Sequence, residues 1–258
     1  MKKLSSGFYI GLIVSIILGF GIVALIALGF QTDVGEGATS APVLKATITG
    51  PGTATLNLAT FPDSQVCHAN ANSIEVNWVT YCAGDNNAVD QIELPPNSLI
   101  TVNISQYDSG TALINDYFAQ VRGTSATLDG QPFSNVSDVN PMKNTINNKP
   151  VKGHTFASDP GHTFTIQSVP NSPDPIFVSV PLIGVDSNAP ANVNINGNMY
   201  PTPNVLSFQF RTGPAGMTYL WHCYDPCGDQ QGRNPPFGFS GPMWTLGYMA
   251  GTISVTNY

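Results

Sequence analysis

The sequence predicts an all-β sandwich carried outside the cytoplasm behind one N-terminal transmembrane helix. Three observations lead there. An uncharged apolar run opens the chain, short alternating runs broken by turn residues fill the rest, and only 10% of residues are charged. Typical soluble domains carry about 25% charged residues. Here Asn, Thr, Ser, Gly and Pro take their place, which suits an extracytoplasmic surface. Lys+Arg 9 against Asp+Glu 16 leaves a net charge of −7. That balance disfavours nucleic acid or an anionic membrane surface as a partner.

The apolar run GFYIGLIVSIILGFGIVALIALGF, residues 7–30, follows MKKLSS. As a helix rising 1.5 Å per residue it would reach about 36 Å, enough for a hydrocarbon core of roughly 30 Å. A cleavable leader has a shorter apolar region of about 7–15 residues, so residues 1–30 are expected to be a cytoplasmic tip and a retained anchor. Lys2 and Lys3 precede the run, and by the positive-inside rule the remainder lies outside the cytoplasm. QTDVGEGATSAP, residues 31–42, reads as a flexible linker.

Residues 43–258 are expected to form one domain. VLKATIT, TATLNLAT, SIEVNWV, SLITVNISQY, LINDYFAQVRG, HTFTIQSV, IFVSVPLIGV, NVNINGNM, NVLSFQF, TYLWHCY and YMAGTISV all read as strands. The stretch 124–159 is expected to be mostly loop, with one or two weak strands. Insertions are placed at about 67–90 and 107–159. Little helix is expected outside the anchor.

The chain has four cysteines, and outside the cytoplasm cysteines tend to be oxidised. Cys67 and Cys82 flank one strand-like segment, and we expect them to form a disulfide. A loop of about 15 residues would give roughly 3 kcal/mol in the chain-entropy picture. NIS at Asn103 and NVS at Asn135 match glycosylation acceptors. Cys223 and Cys227 remain, either as a second disulfide or as metal ligands. A thioredoxin-type pair fits poorly, since the spacing is CxxxC and no helix start follows.

Side chains alternate along a strand. In HTFTI, His162 shares a face with Phe164 and Ile166. In MTYLWHCY, Met217, Tyr219, Trp221 and Cys223 share a face, while His222 takes the other. In YMAGTISV, Met249 lines up with Gly251, Ile253 and Val255. An imidazole, a thiolate and a thioether thus sit at strand ends on the apolar side, and this is the donor set of blue-copper sites.

GHTFTI, GPAGMTYLWHCYDPCG and MAGTISV together resemble the cupredoxin family over residues 161–258, and SIEV…LPPNSLITVNISQYD resembles its early strands more loosely. CYDPCG also resembles the CxxxCG core of the copper site in cytochrome oxidase subunit II, itself an anchored cupredoxin. The resemblance implies a Greek-key β-sandwich with bound copper. Cys223 would be the strong thiolate ligand, His162 the imidazole ligand and Met249 the weak axial one. Cys227 would be a second thiolate or the covalent partner of Cys223.

The chain departs from that pattern in one respect. The family has a second histidine between the cysteine and the methionine, and GDQQGRNPPFGFSGPMWTLGYM has none. A fourth ligand must come from Cys227, Asp225, Met243 or His154. With four histidines in all, the chain lacks the ligands for a trinuclear copper oxidase centre. It also has no HExxH pattern, no nucleophile elbow and no Gly-rich phosphate loop. The expected function is electron transfer to or from a respiratory oxidase or another membrane redox protein. The alternatives are a copper carrier or store, and a metal-free binding module with Cys223 and Cys227 joined.

Overall fold

Alternation sorts the apolar residues of each strand to one face, and two sheets close over those faces. The computed structural model describes residues 43–63, 66–67, 80–83, 88–109, 116–134, 145–146, 149–150, 160–186, 188–224 and 246–258. All of these lie in the unit Ser40–Tyr258. The expected anchor at residues 1–30 and linker at 31–42 lie outside the described residues, as do His154, Asp225, Cys227, Met243 and Asn135.

The strands in chain order are β1 (Leu44–Lys45), β2 (Thr47–Gly50), β3 (Thr53–Phe61), β4 (Thr80–Ala83), β5 (Gln91–Leu94) and β6 (Leu99–Gln106). Next come β7 (Ala126–Leu128), β8 (Gln131–Phe133), β9 (Thr145–Ile146), β10 (Lys149–Pro150), β11 (Pro160–Ser168) and β12 (Phe177–Ile183). The last are β13 (Val193–Ile195), β14 (Asn198–Tyr200), β15 (Asn204–Arg211), β16 (Thr218–His222) and β17 (Ala250–Val255). One sheet has the order β1-β5-β17-β16-β11-β12, and the other runs β2-β3-β6-β15-β7-β8 with β4 also on β3. β9–β10 and β13–β14 form separate two-stranded pieces.

The core lies between the two large sheets. Leu56 and Leu58 of β3, Ile100, Val102 and Ile104 of β6, and Leu206 and Phe208 of β15 face Phe164, Ile166, Val180, Trp221 and Ile253 of the opposite sheet. Phe164 and Phe208 approach to 6.1 Å between ring centroids across the layers. On the outer face of the second sheet, Asn103 donates to Asn57 at 2.9 Å and accepts from Ser207 at 2.7 Å. The asparagine of the NIS triplet is therefore part of a cross-strand polar ladder.

The chain departs from the expected elements in several places, and NVNINGNM is one of them: it forms the hairpin β13–β14 around Asn196-Gly197 and not a single strand. VLKATIT is two strands: the buried Ala46 lets the chain pass from one sheet (β1) to the other (β2). LINDYFAQVRG was expected to be a strand, yet Asp116–Ala119 forms a 3-10 turn. Consecutive aromatic residues there serve different neighbours: Phe118 stacks on Tyr224 at 4.5 Å, while Tyr117 meets the Arg122 guanidinium at 3.7 Å. The stretch after Thr124 is not mostly loop at its start, because β7 and β8 extend the second sheet. Asp129 and Gly130 make their two-residue turn with φ of 46° and 79°, the pattern of a primed hairpin turn.

Cys67 and Cys82 are joined as expected. The bridge lies in a small second core with Phe61, Val66 and Tyr200.

Gly251 of β17 sits where any side chain would collide. A Cβ there would overlap the backbone oxygen of Asp90 and lie 2.5 Å from Trp221 Nε1. Overpacking of this kind costs about 1–3 kcal/mol or more. Gly251→Ala should therefore lower the urea midpoint by an amount equivalent to about 3 kcal/mol. An unchanged midpoint would show that β17 and β5 are not packed this closely.

Candidate metal centre

β11 pairs antiparallel with β16, matching Thr165 with His222 and Ile166 with Trp221. Continued past the end of β16, this register sets Cys223 opposite Phe164 and Tyr224 opposite Thr163. The Thr163 amide points at Cys223 Sγ at 3.4 Å, and the Tyr224 amide donates to Thr163 Oγ1 at 2.7 Å. His162 precedes Thr163 at a register shift in β11. Its Nδ1 lies 3.9 Å from Cys223 Sγ. Both residues are buried.

The other ring nitrogen is also engaged. His162 Nε2 is 2.8 Å from Asp108 Oδ2. Asp108 follows β6 and is itself pinned: its Oδ1 accepts from the Ser109 amide at 2.7 Å, and its carbonyl accepts from the Val185 amide at 2.9 Å. Gly161 allows this loop to close on β11, because a Cβ there would strike the Gln106 amide and lie 2.8 Å from the Ser109 carbonyl oxygen. A carboxylate on one imidazole nitrogen, with the second nitrogen left for an ion, is the usual outer-shell arrangement of a ligating histidine.

The third expected donor is on the neighbouring strand. The Cys223 amide donates to the Met249 carbonyl at 3.0 Å, and Met249 is fully buried in the same core cluster. The β16–β17 register ends at His222 opposite Ala250, so Met249 and Cys223 are the next facing pair. His222 points away, as alternation required: it meets Gln167 at 3.2 Å and the Tyr224 ring at 4.0 Å.

Metal–sulfur and metal–imidazole contacts are about 2.3 Å and 2.0 Å. Their sum exceeds the 3.9 Å gap, so one ion can touch both atoms without moving either segment far. The donors are a soft sulfur, an oriented imidazole and a neighbouring thioether residue, and together they fit copper. Among the described residues, no group of three or more His, Cys, Asp and Glu side chains gathers for an ion. The other expected donors, Cys227, Asp225, Met243 and His154, lie outside the described residues.

Nothing in the sequence singles out Asp108. It lies 54 positions before His162, and no periodicity links a loop carboxylate to a strand histidine at that distance.

The two histidines carry opposite shifts. Burial disfavours the charged form of His162, but the Asp108 carboxylate and the Cys223 sulfur outweigh it and push its pKa up to about 10. Burial holds the His222 pKa below its ordinary value, against the smaller pull of Cys223.

No protein-family model matches the chain, and no curated protein matches it. Among solved structures it is similar to reduced rusticyanin, at 12% identity and a TM-score of 0.32, covering 90% of this chain and 96% of that one. Rusticyanin from Thiobacillus ferrooxidans is similar at 11% identity and a TM-score of 0.31, covering 82% and 86%. A multicopper oxidase is similar at 9% identity and a TM-score of 0.25, covering 86% of this chain and 46% of that one. The approach of His162 to Cys223 and Asp108, and not these likenesses, is the observation that bears on a metal role.

The His162 shift fixes a pH dependence. Its folded pKa of about 10 lies above the unfolded value near 6.5. Its stabilisation is therefore complete below about pH 6.5 and is lost as the pH rises towards 10. The depressed His222 acts on the acid side, where stability falls below about pH 6.5. Urea midpoints of the metal-free protein should decline between pH 7 and 10, and His162→Gln should flatten that decline. The same decline in wild type and His162→Gln would contradict the ion-paired imidazole.

Proposed function

We propose that this chain is a copper protein that carries electrons, with the ion held between Cys223 Sγ and His162 Nδ1 and Met249 as the weaker third donor. What supports this is the 3.9 Å approach of those two buried atoms, with the opposite imidazole nitrogen already committed to Asp108.

Bound copper would supply one electron per cycle by alternating between its two oxidation states. The chain's own residues do the rest. Asp108 fixes the ring orientation and keeps Nδ1 directed at the sulfur. The Thr163 amide faces the sulfur and moderates its charge. The sandwich excludes water around Cys223 and Met249, which are both fully buried. Packed interiors yield little, so the donors hold their positions in either oxidation state and little reorganisation accompanies transfer.

The partner is proposed to be a membrane redox protein or a terminal oxidase. The apolar residues 7–30 would act as a single-pass anchor, keeping residues 43–258 outside the cytoplasm and close to it. A narrower version makes the chain a relative of oxidase subunit II with an altered copper site.

Titration of the solubilised full chain with Cu(II) should produce an intense visible thiolate band at one copper per chain. The band should be absent in Cys223→Ser. Asp108→Asn should keep a band but weaken copper binding by about 10–100-fold, the usual effect of removing an outer-shell partner. No band and no stoichiometric copper, with Cys223 and Cys227 oxidised, would leave a metal-free module. Copper uptake without reversible oxidation and reduction would favour a carrier.

A further inference from the structure

Cys223 and Met249 sit just beyond the ends of β16 and β17, while His162 is paired with Leu182 of β12 but not with β16. The β11–β16 register is formed from Thr165 and His222 inward, whereas His162 and Cys223 lie past it. Met249 precedes the first residue of β17. The Cys223 amide ties Cys223 to Met249, but no β11–β16 ladder pair holds His162 against them, so a further contact has to.

We propose that Tyr81 is the positioning residue for the donor set, and that the Cys67–Cys82 disulfide beside it anchors its grip. This rests on the metal reading above. Tyr81 is fully buried on β4 and touches all three donor segments. Its amide donates to the carbonyl of Tyr248, the residue before Met249, at 2.9 Å. Its hydroxyl donates to the carbonyl of Thr163, the residue after His162, at 3.2 Å. Its ring meets Trp221, two residues before Cys223, edge-on at 5.3 Å and 85°. The same ring meets Phe164 at 5.4 Å and 71°. One residue thus spans the three segments, its side chain reaching those of the imidazole and the sulfur and its backbone amide that of the thioether.

Tyr81 is itself held from behind. β4 pairs with β3, matching Tyr81 with Thr60 and Cys82 with Ala59, and the Tyr81 carbonyl accepts from the Val89 amide at 3.1 Å. The next residue, Cys82, is covalently tied to Cys67. The cluster around that bridge includes Phe61, which stacks on Tyr107 at 4.8 Å, and Tyr107 directly precedes Asp108. The bridge therefore backs the Tyr81 contacts on one side and the carboxylate arm on the other.

The test compares three variants of the full chain: Tyr81→Phe, which removes only the hydroxyl; Cys67→Ala/Cys82→Ala, which removes the anchor; and Leu56→Ala. Leu56 is a buried residue of β3 in the same core that serves as a control for general destabilisation. Two readouts are taken: the imidazole nitrogen resonances of His162 in metal-free protein, and the affinity and visible band of added Cu(II). Tyr81→Phe and the bridge variant should both shift the His162 resonances. Both should weaken Cu(II) binding by roughly tenfold or more, the size of an outer-shell loss, and move the band. Leu56→Ala should lower stability and change neither readout. His162 resonances that stay as in wild type in the first two variants, or that move equally in Leu56→Ala, would overturn the proposal. If wild type itself gave no copper band, the metal reading would fall, while the metal-free resonances would still decide the role of Tyr81.

Discussion

The site depends on one buried imidazole being held at both nitrogens. Asp108 grips His162 Nε2 at 2.8 Å, and that contact orients Nδ1 towards Cys223 Sγ. Without the carboxylate, a buried imidazole would have no reason to select this tautomer or this ring angle. With it, the ring becomes a rigid donor aimed at a soft sulfur. The raised proton affinity of His162 has the same origin, so a proton would compete with the proposed metal ion for Nδ1.

The rest of the architecture serves that contact by bringing distant segments together. His162, Cys223 and Met249 come from three strands that are adjacent in one sheet, β11, β16 and β17. Asp108 comes from the opposite sheet, at the end of β6. The centre therefore lies where the two layers meet at one end of the sandwich, and packing between the layers decides its geometry. Gly161 and Gly251 are two of the places where the approach is too close for a side chain.

The sequence made the placement of the expected donors His162, Cys223 and Met249 legible because strand alternation is a local rule. From it come the shared apolar face of Met217, Tyr219, Trp221 and Cys223 and the alignment of Met249 with Ile253 and Val255, which agree with the burial of those residues, and the turn of His222 to the other face, where it meets Gln167 and Tyr224. Cysteine spacing and the expectation of an oxidising compartment were enough for the Cys67–Cys82 bridge. What was not legible is what tertiary contact decides. Asp108 and Tyr81 act across the sheet interface from loops and short strands that carry no periodic signal. The 3-10 turn at Asp116–Ala119 replaced an expected strand because Tyr117 and Phe118 each found a separate aromatic or cationic neighbour. The Asp129-Gly130 and Asn196-Gly197 turns have the residues of a hairpin signal and positive φ at both residues of each, but NVNINGNM reads as one strand across the second. The long run 124–159 hid the first of them.

The most direct test of the central claim is X-ray absorption at the copper edge of the loaded full chain. The account predicts a first shell containing one short metal–sulfur contact and at least one imidazole, with the sulfur contribution lost in Cys223→Ser. A shell of oxygen and nitrogen scatterers alone, unchanged by that substitution, would contradict it.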